Sequence, residues 1–155
     1  MTSNRVGQVL AFVSALGCAG APTDPLDSGS IVVPPGITFT VVTAKPVFGL
    51  GEPVQAALRV DNGSSQTVRF DFRTGCQAAF LVGVDSGLVF RSPAHLSCTL
   101  ALTAFELTPG ERKSIPFIWY RRDDAGAEVP PGVYRITAAL ADGNSPPVSA
   151  TVKLQ

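Results

Sequence analysis

VQAALRVDNGSSQTVRFDF, Val54 to Phe72, is the stretch that decides the fold. Ala56, Leu58 and Val60 alternate with Gln55, Arg59 and Asp61; beyond Asn62-Gly63, Val68, Phe70 and Phe72 alternate with Thr67, Arg69 and Asp71. A period of two puts one side of each segment in a core and the other in water, which is the pattern of a half-buried strand and not of a helix. Asn and Gly accept the left-handed backbone of a tight turn at low cost, so the two strands are predicted to form a hairpin with one apolar face.

The same period recurs outward from this stretch, and no window carries a sustained helical repeat. Phe39 and Val41 alternate with Thr38 and Thr40. Gln77 to Val84 is nearly continuous in apolar residues, as a central strand would be, and Asp85-Ser86-Gly87 turns it into Leu88 to Phe90. Arg91 to Thr99 reads as irregular. Further strands are expected at Leu100 to Leu107, Lys113 to Tyr120, Val133 to Leu140 and Val148 to Leu154, with Thr108-Pro109-Gly110-Glu111 as a turn. Short strands separated by turn signals about every 8 to 12 residues predict an all-β fold: an immunoglobulin-like antiparallel β-sandwich of about seven to nine strands, with a small closed barrel as the structural alternative.

Composition narrows the function classes. The 155 residues carry 12 basic and 12 acidic side chains, so no net charge is available to follow a phosphate backbone, and nucleic acid is not an expected partner. The single histidine, His95, lies beside Pro93 in the irregular segment, and no GxSxG elbow exposes a serine, which removes the parts of a hydrolytic triad. With Cys18 expected to carry lipid and Cys76 and Cys98 to pair, the one histidine cannot make a zinc cluster, and no glycine-rich phosphate loop is present. No cofactor, metal or catalytic residue is assigned.

A charged run, RRDDAGAE, lies between Trp119 and Tyr134 and offers three carboxylates as metal ligands or catalytic acids. Asp123, Asp124 and Glu128 match no calcium-loop spacing, however, and have Arg121 and Arg122 beside them. Adjacent residues at a strand end point to opposite faces, so the carboxylates are not aimed at one glycosidic bond. The run reads as a solvated hairpin tip, and Arg121, Arg122, Asp123, Asp124 and Glu128 are kept as a candidate partner loop. Trp119 shares a strand face with Ile115 and Phe117 and reads as core.

The first residues describe a route as well as a fold. Arg5 is followed by a short apolar run from Val9 to Leu16, closed by small residues, which fits a signal peptide over 1–17 and is too short for a membrane span. Ala15-Leu16-Gly17-Cys18 resembles a bacterial lipobox, which makes Cys18 the expected lipid attachment site of an exported protein held at the cell envelope; plain secretion and an uncleaved segment are the alternatives. Residues 18–30 read as a flexible tether and 31–155 as the β-sandwich domain. With Cys18 lipidated, Cys76 and Cys98 are left as a pair in an oxidising compartment, where a disulfide would stabilise the fold by roughly 3 kcal/mol; two buried thiols are the other reading.

Trp119, Gly126, Val129-Pro130-Pro131-Gly132 and Tyr134 together resemble the closing hairpin of the intracellular proteinase inhibitor family labelled BsuPI. Gly51-Glu52-Pro53-Val54, Asp61-Asn62 and Leu107-Thr108-Pro109-Gly110-Glu111 follow the same template in order, from about Phe39 to Leu140. The resemblance implies an immunoglobulin-like domain and proteinase inhibition, and brings no inhibitory motif that transfers residue by residue. The sequence thus predicts a non-enzymatic module that binds another protein; proteinase inhibition, which the resemblance implies, would make that partner a proteinase, and a structural or adhesive surface module without inhibitory activity is the alternative. Arg91 to Ser97 and Arg121 to Glu128 are the two segments expected to present an inhibitory loop.

Overall fold

The computed structural model describes residues 33–92 and 97–155. The expected signal peptide, the tether, the start of the domain at residues 31 and 32, Cys18 and His95 lie outside the described residues.

Two sheets face each other across one apolar core. The first has the order β1-β3-β8, with β1 at Ile37–Thr43, β3 at Val54–Asn62 and β8 at Arg112–Trp119. The second has the order β2-β10-β9-β5-β6, with β2 at Val47–Phe48, β5 at Ala78–Val84, β6 at Gly87–Arg91, β9 at Gly132–Leu140 and β10 at Val148–Leu154. A two-stranded ribbon, β4 (Val68–Phe72) with β7 (Thr103–Leu107), completes the set. The alternation read from the sequence decides which side chains meet: Val54, Leu58, Val60, Phe117 and Trp119 come inward from one sheet, and Phe80, Val82, Tyr134, Ile136 and Val152 from the other. Phe80 and Phe117 stack across the middle with ring centroids 4.5 Å apart.

The architecture is an immunoglobulin-like β-sandwich. The chain enters the first sheet as β1 antiparallel to β3, then changes layer and joins the second sheet as β2, parallel to β10. A first strand shared between both sheets closes the sandwich at one side, and its second half, only two residues long, has no periodic signal from which it could be predicted.

Two expected hairpins are not hairpins. β3 pairs with β1 and β8, whereas β4 pairs with β7, so Val54 to Phe72 leaves the first sheet for a separate two-stranded ribbon and does not fold back on itself as a hairpin. The reason is Asn62, which continues the buried face of β3. Its Nδ2 donates to the carbonyls of Gln66 and Leu107, both at 2.8 Å, and its Oδ1 accepts from Ser64 N and Oγ at 3.0 and 2.6 Å. A buried amide with all its partners fixes this departure from the sheet, and neither Asn62 nor Gly63 takes positive φ. Likewise β8 and β9 lie in different sheets, so RRDDAGAE is a crossover and not a hairpin tip.

The strand expected from Leu100 begins only at Thr103. Phe105 and Leu107 set the inward phase of β7, and Leu100 and Leu102, ahead of the strand, do not continue it into the core. They are 93% and 83% exposed.

β8 pairs only with β3 among the described residues. Asn62 N donates to Glu111 O at 2.9 Å, and bonded pairs alternate along the ladder from there. Ala57 and Pro116 therefore form a non-bonded pair, and the proline nitrogen points to the free edge, where a missing donor costs the ladder nothing.

Candidate functional site

The crossover from Trp119 to Tyr134 is built as a closed frame. Trp119 Nε1 donates to Arg122 O at 2.7 Å, and Val129 N to Arg121 O at 2.9 Å, which draws the two ends together. Between them Asp123 Oδ1 accepts the N–H groups of Ala125 and Ala127 at 2.9 and 2.8 Å, an Asx arrangement that shapes the turn around Gly126. Asp124 fastens the frame to the neighbouring sheet: its N donates to Val89 O at 3.0 Å, and its carboxylate accepts from Arg91 N and Nε at 2.8 and 3.2 Å. Tyr134, at the start of β9, donates its hydroxyl to Pro130 O at 2.7 Å. A tyrosine bonded four residues back at the entry to this strand is the tyrosine corner of immunoglobulin-like sandwiches. Its ring packs on Trp119 with centroids 5.2 Å apart.

The five charged residues expected to form a partner loop are therefore placed very differently. Arg121 is only 2% exposed, in the left-handed region at φ 58, with Nη1 donating to Gly49 O at 2.7 Å and Nε without a partner among the described residues. Asp123 and Asp124 hold the loop together. Arg122 and Glu128 bridge through their backbones and lie exposed, the Arg122 Nη1 donating to Gly126 O at 2.6 Å. Burial pushes the Tyr134 hydroxyl above its ordinary value, with the Arg121 cation opposing that shift.

A second loop is held more firmly at its base than at its crown. Cys76, just before β5, is bonded to Cys98, with Cα atoms 5.3 Å apart and a sequence separation of 22. Gly75 N donates to Thr99 O at 3.0 Å, while Thr103 Oγ1 donates to Thr74 O at 2.7 Å and accepts from Gln77 Nε2 at 3.5 Å. The chain from Cys98 to Thr103 thus leaves and rejoins one short segment, residues 74–77, and between the fastenings it bends at Leu100 and Ala101 into solvent. The sequence signal for the arch is one of phase: Leu100 and Leu102 fall on even positions and Phe105 and Leu107 on odd ones, so one period-two strand cannot face all four inward. Of the other expected inhibitory segment, Arg91 to Ser97, residues 93–96 lie outside the described residues.

An apolar cavity of about 580 Å³ opens between β8 and β5, with Phe80, Phe90, Phe117 and Trp119 in its walls. Residues 75–77 form one part of its rim, and Arg122, Asp123 and Gly126 another. Among the described residues no three His, Cys, Asp or Glu side chains converge on a point that could hold a metal.

Among solved structures the chain is similar to a CARDB domain from Pyrococcus furiosus determined with di-metal ions, at 16% identity over 77% of this chain and 87% of that one, with TM-score 0.41. It is also similar to part of a β-glucosidase from Erythrobacter marinus, at 17% identity over 77% of this chain and 15% of that one, with TM-score 0.47. An alkylpurine DNA glycosylase from Pseudomonas fluorescens matches at 16% identity over 77% of this chain and 30% of that one, also with TM-score 0.47. The chain thus spans well under two thirds of either enzyme. No curated protein matches the sequence. The family model described as intracellular proteinase inhibitor, BsuPI, matches residues 41–145, which takes in Asn62, the crossover from Trp119 to Tyr134, the arch and the tyrosine corner. By that match, over most of its length, the chain belongs to the BsuPI family of intracellular proteinase inhibitors.

Proposed function

We propose that this protein is a non-enzymatic binding domain that inhibits a proteinase by occupying its active-site cleft. The observation that carries this reading is the family match over 41–145. The geometry agrees with it, because loops bonded at their bases have already given up the conformational freedom that a flexible segment loses on binding. Titrating the full chain, kept in detergent, into a panel of serine proteinases should give saturable, dose-dependent inhibition of at least one. A flat response across the panel would leave the structural or adhesive surface module as the reading to pursue.

We further propose that the chain is exported and held at the envelope by lipid on Cys18, with 18–30 as the tether and 31–155 as the domain. The Cys76–Cys98 bond supports an oxidising destination, although the family description is intracellular. No helix among the described residues is long and apolar enough to cross a membrane. Cys18→Ala is expected to move the protein from the membrane fraction to the soluble one, and unchanged fractionation would remove the lipid anchor from the proposal.

A further inference from the structure

We infer that the arch at residues 98–102 is the segment that enters the proteinase, with Leu100 filling the primary specificity pocket, and that the enzymes it fits are serine proteinases whose pocket accepts leucine; this rests on the inhibitor reading above. Three observations converge on it. First, Leu100 is the most exposed large apolar side chain of the described structure, at 93%, and Leu102 is 83% exposed. Single exposed leucines are ordinary on protein surfaces. Two of them on one bend, clear of every strand, are a convex feature matched to a concave cleft.

Second, the arch is fixed on both sides of its crown. The Cys76 bond and the Gly75 N to Thr99 O contact hold one limb, and the Thr103 contacts, followed by the β7 pairing with β4, hold the other. This arrangement bears on chemistry as well as affinity. When the proteinase serine attacks the Leu100 carbonyl, Leu100 becomes the acyl group and the amine of Ala101 is the leaving group. That amine belongs to a limb paired into β7 and does not diffuse away. It attacks the ester and restores the peptide bond and the free serine, or more slowly water takes its place and leaves a Leu100 carboxylate and an Ala101 amine. An arch that holds its own leaving group in place is turned over slowly, as an inhibitor must be.

Third, the alternatives within the fold are poorer. The crossover loop spends Asp123 and Asp124 on its own frame, and at its crown Ala125, Gly126 and Ala127 offer nothing to fill a pocket. Leu50 is exposed too, but lies in a turn closed by Glu52 N to Gly49 O, which is too tight to lie along a cleft. From Ser97 to Leu102 no residue is charged, so the arch suits an apolar pocket and not one that selects arginine or lysine.

The test compares the full chain with Leu100→Arg and Leu100→Asp, measuring inhibition constants against a subtilisin-type proteinase that accepts leucine and a trypsin-type proteinase that requires a basic residue. Both variants are expected to weaken inhibition of the first enzyme by about 30-fold or more, the scale of an interface hot spot. Leu100→Arg is also expected to create inhibition of the second. Because the side chain is solvent-exposed, thermal midpoints should match the parent. Prolonged incubation of the parent chain with the first enzyme should give one cut, between Leu100 and Ala101, by intact mass. Inhibition that survives both substitutions unchanged, or a single cut elsewhere, would overturn the arch and leave the inhibitor reading standing. Absence of inhibition by the parent chain across the panel would overturn both.

Discussion

Tyr134 carries more of the fold than its size suggests. Its hydroxyl closes the corner onto Pro130 O and its ring supports Trp119, so one side chain fixes both the entry to β9 and the start of the crossover. Tyr134→Phe keeps the ring and removes only the donor, and should cost about 1 kcal/mol, read as a lower urea midpoint with an unchanged slope. The tyrosine was legible as a core residue because it lies in phase with Ile136 and Ala138. Arg121 was not legible. An arginine next to Arg122, Asp123 and Asp124 reads as solvated, and its burial follows from a left-handed backbone at φ 58 that turns the side chain under the loop toward Gly49. Nothing in the composition of the run marks which of the two arginines turns inward.

The elements were readable where period and phase sufficed, and misread where pairing mattered. β5, β9 and β10 lie within a residue of their expected bounds, since alternation is a local property of the chain. Partner choice is not local: Asn62-Gly63 has the chemistry of a tight turn, yet the four hydrogen bonds of the Asn62 side chain, one of them to Leu107 O, commit the chain to the ribbon with β7 and not to a return along β3. The arch depends on pairing in the same way. Cys98→Ser together with Cys76→Ser should lower stability by about 3 kcal/mol on the chain-entropy account, seen as a lower denaturation midpoint. Gly75→Ala should loosen the same limb with the disulfide intact, because a Cβ at that position collides with Thr99 Oγ1. Faster proteolytic nicking at residues 99–102 is the readout, and an unchanged nicking rate would show that Gly75 is not needed for the approach.

At the scale of the whole molecule, stability should be level near neutrality and fall at both ends of the pH range. Glu52 is held below its ordinary 4.5 by its bond to Lys45 and by Gly49 N, and Glu111 by the backbone and then the hydroxyl of Thr108. Each is depressed in the folded state, so its contribution is present above 4.5 and is lost as pH drops through the folded value. Tyr134 is raised by burial, so the folded state holds its proton longer than the unfolded chain, and stability declines as pH rises past 10.0. Thermal midpoints followed across pH should show both limbs, and Glu52→Gln with Glu111→Gln should make the acid limb shallower. A last consequence belongs to Pro116, whose nitrogen faces outward from β8. The amides of Arg112, Ser114 and Ile118 point the same way, so a strand from another molecule laid along that edge would meet three donors with a ring set between the last two. Stacking of one sandwich on the next is interrupted where the proline lacks its donor, so concentrated solutions of the domain should remain free of fibres seeded along β8.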